Sequence, residues 1–483
     1  MANNKKMLAE IVPEKLLERV LKRFDLMALY FALIFGAYGA AQMTADGWAG
    51  IPMLILAAVT FLLPTALAAY ELGTLFPGEG GIYIWSQKAL GPIHGFVSGW
   101  LSWVPIFLLL PLGASTIVSH IEYIIGTKFS LSANITIQSL VVIGITIISC
   151  IRLVFSQRYI NIMFFVSFGT AIIIFICAMF SGKSATPIDS SLTSFDIFKH
   201  GAMYSAAILW LLGVEVPFNM GAEIKDHKKN AGFMFLWGTV ALLVGYILGI
   251  AGVLKLLPAG NINAITGVAD AVGTVSHFLG IVVALMICFA VSSQDVAYMN
   301  SYSRLLFVSG IEKRLPAIMS YLTNKKVPLP AILVQCIVGI FVIIFFTTQQ
   351  NLAATFQLYI AALITVWVTS LYYLYIALPI VRRKYKNNYE TDKNIWKIPF
   401  KSIGLWITVI MGLVFNTVAI YYVFANPFTA DISPADWRKW LVIISAVIIL
   451  SGAIIFFLSN SKVKKIDIDE EIKKYNTSNV SEE

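Results

Sequence analysis

Two short stretches of the sequence combine residues that interrupt a helix with groups that could bind a ligand. They are residues 36–41 (GAYGAA) and 213–217 (GVEVP). Glycine frees the backbone and proline removes an N–H donor, so a helix can unwind at either stretch. An unwound helix leaves N–H groups that can hold an anionic group and carbonyl oxygens that can accept from a cationic one. The two stretches are therefore the first candidates for binding a small charged molecule.

Within these stretches we predict a role for the backbone itself. The half-helix that follows the first break should direct its N–H groups, and the positive end of its dipole, toward a carboxylate. Carbonyl oxygens around the second break should accept from an ammonium group. The predicted binding positions are Gly36, Gly39, Ala40, Ala41, Leu209, Leu212 and Gly213.

Several side chains could gate access to such a site or couple its occupancy to a conformational change. They are Glu215, Tyr83, Trp103 (with its neighbour Trp100), Gln294, Asp295 and Tyr298. A carboxylate at mid-bilayer costs about 2.5–3.5 kcal/mol on insertion scales, so Asp295 should face a cavity or a partner such as Arg304. Each candidate has a structural alternative: the tryptophans could only pack, Asp295 could be ion-paired, and Glu215 could be a hydrogen-bonded structural acid.

These residues lie in a chain whose composition is that of a membrane protein. Of 483 residues, 58% are hydrophobic and 13% are charged, and the mean hydropathy is +0.79. Soluble domains carry about 25% charged residues, so a soluble enzyme, a nucleic-acid-binding module and a disordered scaffold are excluded. The four cysteines fall in apolar runs without a C-x-x-C pair, and we find no metal-ligand cluster, phosphate loop or nucleophile motif. We therefore expect no metal, no cofactor and no enzymatic activity.

Apolar runs long enough to cross a hydrocarbon core of roughly 30 Å recur along the chain. Their continuous apolar character favours helices over the alternating strands of a membrane β-barrel. Both interrupted stretches lie inside such runs, in spans 1 and 6. The twelve predicted spans are 26–46, 51–76, 93–125, 134–152, 159–181, 200–223, 231–257, 273–305, 328–348, 352–380, 403–425 and 437–459.

Loop charge predicts the orientation of these spans. With both termini on one side, 29 of the 35 Lys and Arg residues fall on that side, which is the cytoplasmic one by the positive-inside rule. Residues 12–24 are predicted to form a cationic amphipathic helix on the membrane surface, within a cytoplasmic tail of residues 1–25. Interrupted helices at matching positions of two halves indicate an inverted-repeat transporter with its site near the midplane.

The sequence resembles the amino acid–polyamine–organocation superfamily over roughly residues 24–385. The resemblance is strongest to its glutamate/γ-aminobutyrate antiporter branch. It is carried by four motifs in order: 61–72, 77–92 (PGEGGIYIW followed by LGP), 213–225 and 303–316.

The resemblance implies an all-α fold of twelve transmembrane helices, in which two five-helix inverted repeats are followed by two further helices. The corresponding ranges are 26–181, 200–380 and 403–459, with a cytoplasmic tail at 460–483. It also implies a plasma-membrane exchanger of amino acids or their decarboxylated amines that works by alternating access, either as a single chain or as a homodimer. Its partners would be a small-molecule substrate and the lipid bilayer, with no nucleic acid.

Three departures from the superfamily pattern keep alternatives open. The first break ends in Gly39, Ala40 and Ala41 where relatives have Gly-Ser-Gly, so a hydroxyl contact is lost. Ser167 stands where proton-coupled relatives carry a lysine, which argues against a lysine-based proton switch. The polar tail from about residue 460 does not resemble a folded plug. The alternatives are proton-coupled symport by the same fold and, less favoured, a nutrient sensor without flux.

Overall fold

The computed structural model describes residues 6–348, 352–428 and 431–463, which fold as helices joined by short loops. The last helix, Pro434–Val463, extends past the predicted end of span 12. The rest of the predicted C-terminal tail, 464–483, lies outside the described residues. Within these described ranges, ten helices are long and apolar enough to cross a bilayer. They are Gly47–Leu75, Pro92–Ile125, Leu131–Ser149, Leu153–Phe180, His227–Leu256, His277–Ile311, Leu329–Thr347, Gln357–Lys384, Lys401–Ala425 and Pro434–Ser459.

The predicted spans 1 and 6 are each formed by a pair of short helices. In the first broken segment, the helix Arg23–Ile34 stops at the extended residue Phe35 and a four-residue helix follows at Gly39–Gln42. In the second, the helix Gly201–Leu209 is followed by a 3₁₀ helix at Val216–Glu223. Both interruptions expected from glycine and proline are present.

Two tyrosines from neighbouring helices replace the hydrogen bonds lost at the first break. The Tyr246 hydroxyl donates to the carbonyl of Ile34 (2.9 Å) and accepts from the N–H of Gly36 (3.1 Å). The Tyr298 hydroxyl donates to the carbonyl of Leu33 (2.6 Å). Unpaired backbone groups cost several kcal/mol in a medium without water, so these hydroxyls make an open helix end tolerable inside the bundle.

The N-terminal segment differs from the predicted surface helix over 12–24. Its helix covers Leu8–Leu16 and packs Leu8 and Val12 into the protein rather than leaving an apolar face for lipid. The chain beyond it is extended because it bonds to the end of the second broken segment. The N–H groups of Val20 and Leu21 both donate to the carbonyl of Glu223 at 2.9 Å.

Candidate functional site

A small cavity lies between the two broken segments, at the centre of the bundle. Its volume of about 30 Å³ leaves room for one or two water molecules. The described residues that line it come from the broken segments and three long helices. They are Ile34, Tyr38, Leu109, Leu112, Gly113, Leu209, Trp210, Leu212, Gln294, Asp295, Tyr298, Ile360, Leu363 and Trp367.

Trp210 fills the space where a ligand would meet the first break. A Cβ atom built on Gly39 would lie 2.6 Å from carbons of the indole ring, and one on Gly36 would be as close. Tyr38 meets the ring edge-on, with the centroids 5.0 Å apart. The glycines of the first break therefore serve close approach of an aromatic ring as well as backbone freedom. Trp210 was missed from the sequence, although it lies between the predicted Leu209 and Leu212.

Several of the predicted backbone donors and acceptors are used in local turns in this conformation. The N–H of Gly39 donates to the carbonyl of Gly36 (2.8 Å), and that of Ala41 donates to the carbonyl of Tyr38 (3.1 Å). In the second break, the carbonyl of Gly213 accepts from Val216 (3.1 Å). Binding of a ligand by these groups would require the turns to open.

Three predicted side chains on the helix His277–Ile311 reach the cavity together: Gln294, Asp295 and Tyr298. Asp295 is only 1% exposed, and its Oδ2 atom has no hydrogen-bond partner among the described residues. The suggested ion pair between Asp295 and Arg304 is wrong, because the Arg304 guanidinium binds a different carboxylate, Glu223. Asp295 instead faces the cavity, which was the other expectation.

Glu215 does not line this cavity itself but contacts Trp367, a residue that does. The Trp367 indole N–H, on a ring that lines the cavity, donates to Glu215 Oε1 at 2.9 Å. The second carboxylate oxygen of Glu215 is buried without a hydrogen-bond partner in the described part of the chain. A change at the cavity that moves Trp367 would therefore alter or break its hydrogen bond to this carboxylate.

Tyr83 and Trp103 lie outside the cavity lining. Tyr83 is buried beside Gly99 and close to Arg314 and Glu312, at the end of the bundle that carries the N-terminal segment. Trp103 packs against Phe107, with ring centroids 4.7 Å apart. Tyr83 thus remains a candidate for a gate at that end, whereas packing accounts for the surroundings of Trp103.

A buried ion cluster closes the end of the bundle near the N-terminal segment. Arg304 donates to both oxygens of Glu223 (2.9 and 3.1 Å), and its Nε lies 3.5 Å from Glu79 Oε1. All three side chains are 3% exposed or less. Glu71 forms a second pair there with Arg382 (2.6 Å). Lys88 forms a further ion pair with Glu10 at 2.6 Å.

A larger cavity of about 430 Å³ adjoins the central one and shares Leu112 and Ile360 with it. Its lining mixes apolar side chains with amides, including Gln42, Asn134 and Gln138. The central cavity therefore adjoins a larger cavity through Leu112 and Ile360. Arg304 of the ion cluster lies further along the same helix as Asp295, which lines the central cavity.

The sequence profile of the amino acid permease family matches residues 21–463 of the chain. That range contains both broken segments, the cavity lining and the ion cluster. Since it covers most of the chain, the match applies to the bundle as a whole and not to a single motif.

Curated relatives with similar sequences are transporters by name. An uncharacterized transporter of Legionella pneumophila is 24% identical over 59% of this chain and 64% of its own length. A probable agmatine/putrescine antiporter of Lactococcus lactis is 25% identical over 51% of this chain and 54% of its own length. A glutamate/gamma-aminobutyrate antiporter of Lactococcus lactis is 22% identical over 89% of both chains. The alignments to the first two thus span between half and two thirds of those relatives.

Proposed function

We propose that this chain, which belongs to the amino acid permease family, is a secondary transporter that exchanges amino acids or their decarboxylated amines across a membrane. The observation that carries the proposal is the cavity between two broken helices, which Trp210 lines while packing against the glycines of the first break. Broken helices at bilayer depth are tolerated where they line a protein cavity, and transporters place their substrate sites there. The antiporters among its relatives support exchange as the mode of transport.

Alternating access follows from the two sides of the cavity. The 430 Å³ cavity gives the substrate an approach from one side, while the Glu79–Arg304–Glu223 cluster closes the other. Movement of Trp210 would admit the substrate, and separation of the cluster would release it. We propose that the two broken segments also cross the bilayer, which would bring the ten long helices to twelve crossings, arranged as two inverted repeats followed by two helices.

A counterflow assay in proteoliposomes tests the transport function directly. Vesicles preloaded with one amino acid or amine should accumulate a radiolabelled partner, whereas empty vesicles should accumulate little. Accumulation in empty vesicles driven only by a proton gradient would favour proton-coupled symport over exchange. Absence of uptake under both conditions, across a panel of amino acids and amines, would contradict the proposal.

We propose that the protein lies in the plasma membrane and that both of its termini and the 382–401 loop face the cytoplasm. The excess of Lys and Arg on that side supports this orientation. In a background without the four native cysteines, a single cysteine at Asn387 should react with a membrane-impermeant maleimide only after the cells are opened. A cysteine at Asn261, in a loop on the opposite side of the proposed topology, is the matched control and should react in intact cells. The reverse pattern would overturn the orientation.

We propose that Glu215 couples protonation to transport through its bond to Trp367. Glu215→Gln keeps an oxygen that can accept from the Trp367 indole but fixes the group as neutral. The variant should bind substrate, while its initial exchange rate should vary less between about pH 5 and 8 than that of the wild type. Glu122→Gln, at a peripheral carboxylate that binds Lys128, is the control and should keep the wild-type profile. A wild-type profile and rate in Glu215→Gln would leave Glu215 a structural residue.

A further inference from the structure

The central cavity contains a carboxylate without a counter-charge. Asp295 is 1% exposed, and its Oδ2 atom has no hydrogen-bond partner among the described residues. The described side chains that line the cavity include no Lys, Arg or His. Arg304 is nine residues further along the same helix, about 13.5 Å along its axis, and its guanidinium is bound to Glu223.

The helix that carries Gly113 packs closely against this carboxylate but supplies no positive charge. Gly113 lies so close to the Asp295 carboxylate that a Cβ at position 113 would overlap it. Tyr38 and Tyr298 also line the cavity, and neither hydroxyl carries positive charge. The other carboxylate near the cavity, Glu215, also has an oxygen without a hydrogen-bond partner in the described part of the chain. The titratable side chains among the described lining residues are therefore acidic or phenolic.

We propose that the cavity selects a substrate of net positive charge, whose alkylammonium group pairs with Asp295; this inference rests on the proposed transport function. A buried charge is stable only when it is paired. A zwitterion brings its own carboxylate and leaves Asp295 uncompensated, whereas a basic amino acid supplies one net positive charge and a diamine, protonated at both amines, supplies two. Trp210 and Tyr38 also line the cavity, and aromatic rings attract a cation that lies over their faces.

Equilibrium binding of radiolabelled ligands to the purified full-length protein tests the charge selectivity. At pH 7 the wild type should bind 1,4-diaminobutane or lysine at least about 10-fold more tightly than alanine or glutamate. Asp295→Asn, which keeps the shape and removes the charge, should weaken cation binding by at least about 30-fold and alanine binding by less than about 3-fold. Asp270→Asn is the matched control, because Asp270 binds Thr266 away from the cavity, and should bind like the wild type.

Two results of the binding experiment would overturn the inference. One is a wild type that prefers alanine or glutamate to both cations, and this comparison needs no variant to fold. The other is an Asp295→Asn protein, monodisperse on size exclusion, that keeps wild-type affinity for the cations. Transport is judged separately: counterflow of zwitterions alone would refute cation selectivity and leave the exchange function standing, whereas no counterflow of any ligand would refute the exchange function.

Discussion

Arg304→Met should destabilise the protein by about 3–5 kcal/mol, because it leaves the carboxylates of Glu79 and Glu223 buried without their cation. Methionine fills most of the space of the arginine stem, so the loss reports charge more than volume. Thermal unfolding in detergent, followed by tryptophan fluorescence, should show a clear fall in Tm. The proposed cytoplasmic end should also open, so that a cysteine placed at Ala222 becomes reactive.

The control for this prediction is an ion pair of the same chemistry on the surface. Arg152 binds Glu18 at 2.5 Å, but both side chains are about half exposed. Exposed pairs contribute about 0–1 kcal/mol, so Arg152→Met should leave the Tm nearly unchanged. Equal falls in Tm for the two variants would show that the buried Arg304 cluster contributes no more to stability than an exposed ion pair.

The same cluster predicts an asymmetry between its two acids. Two buried carboxylates face one guanidinium, so the cluster is neutral only when one of them holds a proton. Burial, followed by the nearby Glu223 carboxylate, raises the pKa of Glu79 well above its usual value, and Arg304 offsets only part of this. Glu79→Gln should therefore be tolerated, whereas Glu223→Gln should be destabilising because it removes the two-point bond to Arg304.

A pH dependence of stability follows with a definite sign. A group whose pKa is higher in the folded protein than in the unfolded chain stabilises the fold while it is protonated. The contribution of Glu79 should be complete below its usual value of 4.5 and should be lost as the pH rises through its raised folded-state pKa. Glu79→Gln should weaken this decline in Tm. A wild-type Tm that rises over the same interval, with no change in Glu79→Gln, would contradict the assignment.

Gly39→Ala should reduce exchange by at least about tenfold while the protein still inserts. The added methyl group would lie 2.6 Å from the Trp210 ring, well inside van der Waals contact. The indole must shift into the central cavity, or the first break must move away from it. Either change alters the surface that a substrate meets, and misplacement of about 1 Å at such a site can cost about 100-fold in rate. Initial rates of counterflow at equal amounts of protein measure the effect.

Gly144→Ala is the matched substitution for this experiment. Gly144 lies within the helix Leu131–Ser149, and a Cβ there would have nothing within 4 Å among the described residues. Alanine in a helix interior is favoured over glycine by about 0.5–1 kcal/mol, so this variant should be as stable as the wild type and exchange normally. Normal exchange by Gly39→Ala as well would place the substrate away from the first break.

Long-range contacts mark the limit of what the sequence predicted. The ten long helices follow from runs of apolar residues, and the two interruptions follow from glycine and proline, because both signals are local. The pairing of Arg304 with Glu223, 81 residues away, carries no local signal, and the sequence offered Asp295 as its partner instead. Trp210 was missed for the same reason: its neighbours Gly36 and Gly39 are distant in sequence. The prediction of a helix over 12–24 was wrong because the chain at Leu21 pairs with Ile224, which is also distant in sequence.

The N-terminal segment, residues 8–22, lies across the end of the bundle and is bound to it through the bridge between Leu21 and Ile224. We call this segment the brace. The same segment is held by the N–H of Ala9, which donates to Glu312 at 2.9 Å, and by the Glu10–Lys88 pair. These three anchor points lie on different elements, so they cannot separate from one another without releasing the brace. Under the proposed alternating access, opening at that end must break these contacts of the segment that precedes the helix Arg23–Ile34. We predict that a truncation of this segment changes the rate of exchange, although the segment does not line the central cavity.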